Sequence, residues 1–161
     1  MASVPYSSNI PRTAFVKDVK AQGTQGGTFT SGSWQTRDLN TLEGDNTIVS
    51  VSGNQFTLGA GTYIIEASAP ALGVIGHKCR LWNVTDSDIE ITGSSEYSRV
   101  GDYPQTRSFL ESIITINAAK VFEIQHICSF TSSTTSGLGF ANNFTGTDEV
   151  YTIVKITKIS N

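Results

Sequence analysis

Gly61-Thr62-Tyr63-Ile64-Ile65-Glu66-Ala67-Ser68-Ala69 is the stretch that decides how the chain is read. Tyr63, Ile65, Ala67 and Ala69 alternate with Ile64, Glu66 and Ser68. That is the two-residue period of a β-strand, and aromatic and β-branched residues suit a pleated surface. Gly59 and Gly61 mark a tight approach to it. Pro70 cannot donate to a ladder and is expected to end it. Both faces carry apolar residues where the strand begins, so the pattern predicts a central strand covered on both sides.

Outward from this strand the same period recurs. In residues 77–84, His77, Cys79, Leu81 and Asn83 share one face, and Lys78, Arg80, Trp82 and Val84 share the other. Further strands are expected at 89–92, 106–116, 120–130 and 149–159. The Asn117-Ala118-Ala119 turn makes 106–130 read as a hairpin. Upstream, strands are expected at 14–21, 36–42, 48–51 and 55–58, the last two joined at Gly53-Asn54 as a second hairpin. Residues 22–33, 94–105 and 131–148 read as polar loops. Nine or ten short strands without a helical period predict an all-β sandwich or barrel. Residues 1–13 hold Pro5 and Pro11 among polar residues and read as an extended arm, ahead of one domain over 14–161.

The chain has 161 residues, enough to bury a core without disulfides. Hydrophobic residues are 38% and charged residues only 16%, so Ser, Thr, Asn, Gln and Gly must cover much of the surface. A net charge of −3 with no basic run argues against a nucleic-acid partner. Residues 1–16 contain no apolar run of the signal-peptide kind, and no stretch reaches the length of a membrane span, so membrane insertion is not expected. With Met1 in place, the chain reads as a product made in a reducing cytoplasm. Cys79 and Cys128 are then expected as buried free thiols.

The chemistry-bearing residues form no catalytic constellation. His77 and His126 lie on separate strands without metal-ligand spacing, and hydrogen-bonded core histidines are expected. Asp86 and Asp88 flank Ser87 in a turn that lacks the Gly and the distal Glu of a calcium loop. Glu111 and Glu123 lie on the two arms of the expected hairpin and suit exposed charges better than a glycosidase pair. No Ser has a Gly-x-Ser-x-Gly context. Neither a cofactor nor an enzymatic activity is implied.

Gly61-x-Tyr63-x-Ile65 resembles the Gly-x-Tyr-x-Phe core of C1q-like domains, with Ile65 in the Phe position. Trp34 with Arg37-Asp38-Leu39-Asn40 and the segments 77–85, Arg107-Ser108-Phe109, 122–126 and 149–152 extend the likeness. In that order they are similar to C1q/TNF-like domains of bacteriophage structural proteins, over residues 14–159. The resemblance implies a ten-strand jelly roll that assembles as a homotrimer, with the strands of Tyr63, Phe109 and Tyr151 in the sheet facing the three-fold axis. These three residues are the candidate trimer-interface positions. Doubly apolar strands agree with it, because a monomeric sandwich has no use for a second apolar face.

Two functions follow as expectations. The first is a virion protein, made in the host cytoplasm, that decorates and stabilises a capsid. Its arm residues Val4, Tyr6 and Ile10 would dock on the major capsid protein or another virion protein. The second is the receptor-binding knob of a tail fibre, with Tyr97, Arg99 and Tyr103 as candidates for holding a host-surface glycan. With so few residues ahead of the first strand to form a stalk, the first is favoured.

Overall fold

The computed structural model describes residues 12–101 and 104–160. Twelve strands run through them. They are β1 (Arg12–Lys20), β2 (Gln35–Thr36), β3 (Thr41–Gly44), β4 (Val49–Ser52), β5 (Gln55–Leu58), β6 (Gly61–Leu72), β7 (Ile75–Asn83), β8 (Asp88–Thr92), β9 (Glu96–Ser98), β10 (Gln105–Ile116), β11 (Lys120–Cys128) and β12 (Glu149–Ser160). No helix occurs among the described residues. Five strands form one sheet in the order β10-β6-β12-β1-β3. The second sheet runs β4-β5-β11-β7-β8, with the short β2 beside β11 and β9 beside β7. Without those two short strands the molecule is the expected ten-strand jelly-roll sandwich, and every pairing between named strands is antiparallel.

β6 is central, as its pattern predicts, paired with β10 on one side and β12 on the other. Tyr63, Ile65, Ala67 and Ala69 are buried. They meet Leu81, Phe122 and Ile124 of the other sheet in one core, with Val154 and Ile156 alongside. Ile64, Glu66 and Ser68 lie on the outer face, which the protomer covers only partly. Pro70 does not end the strand. Pairing with β12 stops at Ser68, whereas pairing with β10 continues to Leu72. From Pro70 onward β6 has a ladder on one side only, and a residue without an N–H is tolerated there. The Gly53-Asn54 hairpin is present, with φ of 59° and 65° joining Ser52 to Gln55. Positive φ at both turn residues matches the right-handed twist of the flanking strands.

The hairpin expected over 106–130 is not formed. β10 pairs with β6 in the first sheet, and β11 pairs with β5 and β7 in the second. The 117–119 link crosses between sheets, because each strand buries one face against the opposite layer instead of pairing with its sequence neighbour. Glu111 and Glu123 consequently sit in different sheets. The strand-like piece at 36–42 also crosses: β2 belongs to the second sheet and β3 to the first. Residues 94–105, read as a loop, contain β9.

Arg37 sits at that crossing, fully buried. Its backbone N–H donates to the Ile124 carbonyl (2.8 Å). Its guanidinium donates to Thr152 Oγ1 (2.8 Å), the Leu138 carbonyl (2.6 Å) and the Pro70 carbonyl (3.4 Å). Thr152 is available because β12 bulges. Lys17 pairs with Ile153 and Val19 with Val150, so Tyr151 and Thr152 together face the single residue Asp18. Asp18 is buried too, 3.0 Å from Lys20 Nζ. Burial raises its carboxyl pKa despite that ammonium and the Arg37 guanidinium. Burial also draws Arg37 down to about 10, so it stays charged at neutral pH. Replacing Arg37 by Leu should cost about 3 kcal/mol or more of unfolding free energy, because it strips the donors from two carbonyls and leaves Asp18 with less compensation. Urea denaturation of the variant beside the parent protein measures this, and a loss below about 1 kcal/mol would contradict the role assigned to Arg37.

Candidate functional site

The two outer faces of the sandwich are finished differently. On the second sheet the Arg80 guanidinium lies 4.0 Å from the Trp34 ring centre and 4.4 Å from that of Trp82. It also donates twice to Gln125 Oε1, at 2.8 and 2.6 Å. Beside it the Glu123 carboxylate accepts from Thr36, Gln55 and Gln125. Stacked cation and satisfied carboxylate together make a surface suited to water.

The outer face of the first sheet carries no such cover. Register places its residues in transverse rows. Phe109, Ser68, Ile153 and Lys17 form one; Glu111, Glu66, Lys155 and Phe15 the next; Ile113, Ile64, Thr157 and Thr13 the third. Phe109 is 56% exposed and Ile113 63%. Phe15, Ile64 and Ile153 are partly exposed on the same face. Glu66 and Lys155 pair across the middle row at 2.6 Å, and an exposed pair of this kind adds at most about 1 kcal/mol. A shallow depression of about 290 Å³ lies between Phe15, Glu66, Phe109, Ile153 and Lys155.

Of the three expected interface residues, only Phe109 is on this face. Tyr63 and Tyr151 are 1% and 2% exposed. Tyr63 donates to the Gly59 carbonyl (3.0 Å) and Tyr151 to the Thr24 carbonyl (2.7 Å). β6, β10 and β12 do share one sheet, but the two tyrosine rings point inward, and Ile64 and Ile153 hold the corresponding outer positions. Tyr97 and Arg99 are exposed at β9 and just after it, while Tyr103 lies outside the described residues. Val4, Tyr6 and Ile10 also lie outside them. β1 begins at Arg12, so the last two residues assigned to the arm are in the sheet.

A second feature went unnoticed in the sequence. A pocket of about 490 Å³ opens where β6 ends and β10 begins, lined by Leu72, Gln105, Thr134, Ser136, Phe140 and Asn142. Its residues come from three separate segments, β6, β10 and the loop after β11, and no periodic pattern joins them.

The two histidines meet in the core. Thr106 Oγ1 donates to the Tyr97 carbonyl (3.3 Å) and so accepts from His77 Nε2 (2.8 Å). His77 Nδ1 then accepts from His126 Nε2 (3.0 Å). The ordering follows from the single proton of Thr106. It leaves His126 Nδ1 a buried acceptor without a partner, in a ring 4.8 Å from the Phe29 ring centre. Across the strands His77 faces Cys128 and His126 faces Cys79. Both cysteines are buried and free, as expected. No three His, Cys, Asp or Glu side chains among the described residues form a metal-holding group. Asp86 and Asp88 are engaged at their turn, Asp86 by Asn83 and Lys120, Asp88 by the Ile89 N–H.

Burial holds His77 down to about 4. It holds His126 well below its ordinary value, with Arg37 and His77 adding to the effect. The unfolded chain takes up these protons near pH 6.5. Below that pH the unfolded state binds more protons than the folded one, so stability is full above about 6.5 and falls as pH drops towards 4. The melting temperature should decline over this window, and a His77→Gln, His126→Leu double variant should show a much flatter profile. Equal slopes in the two proteins would contradict the assignment.

No protein-family model and no curated protein sequence matches the chain. Solved structures do match it in shape. The globular domain of zebrafish complement 1qA protein superposes with a TM-score of 0.57 at 11% identity, over 93% of this chain and 99% of that one. Murine APRIL at pH 5.0 gives 0.56 at 8% identity, over 92% and 99%. The fold is therefore a C1q/TNF-like jelly roll. At such identities the likeness concerns the fold alone.

Proposed function

We propose that the chain is a non-enzymatic structural protein that self-associates as a homotrimer through the outer face of β10-β6-β12-β1 and decorates a bacteriophage capsid, stabilising the shell. The observation that carries the self-association is the contrast between the two outer faces. One is closed by the Trp34-Arg80-Trp82 stack; the other presents Phe15, Ile64, Phe109, Ile113 and Ile153 around two ion pairs, Glu66–Lys155 and Lys17–Glu43. A contiguous apolar patch rimmed by polar residues is what a protein interface looks like before it is covered. The three-fold symmetry and the virion setting draw their support from the sequence resemblance. A second reading, a receptor-binding knob that holds host-surface glycan, is favoured by the pocket at the end of the same sheet, whose described lining residues are uncharged.

Phe109→Arg together with Ile113→Arg should convert the assembly to a folded monomer, since both side chains already face solvent in the protomer and the core is untouched. Chromatography with light scattering reads this, and a variant that keeps the parent mass would reject the face as the contact. Removing residues 1–11, which precede β1, should leave the assembly and its melting unchanged and abolish attachment to particles. Cryo-electron microscopy of particles incubated with the truncated protein checks it. Full occupancy would place the attachment surface on the jelly roll.

A further inference from the structure

The pocket where β6 ends and β10 begins is built by a loop that the fold holds in many places. Residues 132–142 are tied by backbone bonds from Gly26 to Gly139, Gly27 to Thr135, Ser132 to Phe29, Leu138 to Gly27 and Leu72 to Gly137. Side chains add to them. Arg37 holds the Leu138 carbonyl, Gln25 Oε1 accepts from the Ala141 N–H, and Gln105 Oε1 accepts from the Phe140 N–H at 2.7 Å. Glu149 accepts from the N–H groups of Asn142 and Asn143. Gly139, at φ +148°, lies against the Tyr151 ring, where a Cβ would collide. A loop held at this many points presents a preformed cavity, and about 490 Å³ is within the range of small-ligand sites.

The lining then decides what fits. Phe140 is 48% exposed, an aromatic surface left uncovered beside the cavity, and Leu72 gives an aliphatic wall. Thr134 and Ser136 bring hydroxyls, bonded to each other at 2.9 Å with capacity to spare. Gln105 Nε2 and the Asn142 carboxamide make no hydrogen bond to another described residue. None of the six lining side chains among the described residues is charged. An anionic or cationic ligand would lose hydration without gaining a counter-charge. A purely apolar ligand would strip water from two carboxamides and return nothing. A neutral pyranose offers what the wall lacks. One C–H face can lie on the Phe140 ring, and vicinal hydroxyls can pair with carboxamide donors and acceptors.

We infer that this pocket binds one neutral hexose or N-acetylhexosamine unit of a glycan, stacked on Phe140 and held at its hydroxyls by Gln105 and Asn142. The inference deepens the glycan-holding reading and moves its site from Tyr97 and Arg99 to this pocket; it does not depend on the decoration reading. By alternation, Gln105 and Leu72, the last pair of their ladder, share the face of Phe109 and Ser68. An assembly built on that face carries one pocket per copy at the same end, and repeated weak sites gain through effective concentration.

Saturation-transfer NMR on the full-length assembled protein tests this, with the methyl glycosides of glucose, galactose, mannose and N-acetylglucosamine as probes and N-acetylneuraminic acid as the charged comparison. At least one neutral glycoside should show transfer, strongest at the C–H protons of one ring face, and N-acetylneuraminic acid should show none. Phe140→Ala should weaken that binding by about tenfold or more, and Asn142→Ala should weaken it with the melting temperature unchanged. The inference is overturned if no neutral glycoside binds, if the acidic sugar binds better, or if both variants bind as the parent does. Binding by the Phe109→Arg, Ile113→Arg monomer but not by the assembly overturns it as well, because the pocket would then be covered. None of these results changes the measured mass of the assembly, so failure here is distinguishable from failure of the trimer.

Discussion

The buried Arg37 guanidinium is the contact on which most of the molecule's geometry depends. One side chain reaches the β12 bulge through Thr152, the end of β6 through the Pro70 carbonyl, and the 132–142 loop through the Leu138 carbonyl, while its own backbone bonds to β11. Both sheets and the longest loop meet at it. A charge this deep is expensive, and it is tolerated because each guanidinium nitrogen has a partner and Asp18 lies within its field. The bulge that brings Thr152 inward also turns Tyr151 inward, and Tyr151 is what Gly139 packs against. The loop that walls the pocket at the end of the sheet is thus held in part by the way one cation is satisfied.

From this frame the two outer faces follow different logic. The second sheet encloses Arg80 between Trp34 and Trp82, and its exposed large apolar residues, Ile89 and Tyr97, lie on the short strands β8 and β9. The first sheet leaves Phe109 and Ile113 more than half exposed. Each would contribute about 1 to 2 kcal/mol if covered. With Phe15, Ile64 and Ile153 beside them, the gain on burial exceeds what the Glu66–Lys155 pair loses by leaving water only if that pair remains together. Its 2.6 Å contact within one protomer, already formed before any partner arrives, meets that condition.

Much of the fold was legible because burial on one side imposes period two. β6, β7 and the β4–β5 hairpin were readable from alternation and from Gly53-Asn54. What failed was anything that depended on which strand pairs with which. The 117–119 link reads as a hairpin turn, yet it joins two layers, since a short turn looks alike whether it closes a ladder or crosses a sandwich. Pro70 reads as a strand end, yet it stands where one ladder has already stopped. Tyr63 and Tyr151 were read as outward because a large aromatic on a two-faced strand has no label for its direction. At Tyr151 the bulge changes the parity as well. The pocket was invisible for a different reason. Leu72 and Gln105 meet through the β6–β10 ladder, and Phe140 joins them only through the long-range bonds that hold its loop.

The central claim is that the open face of the first sheet is covered by copies of the chain. Sedimentation equilibrium of the unmodified protein, over a dilution series into the nanomolar range, tests it most directly. The account predicts a single species at three times the 17.3 kDa chain mass, unchanged by dilution. A stable species at the mass of one chain across the series would contradict it.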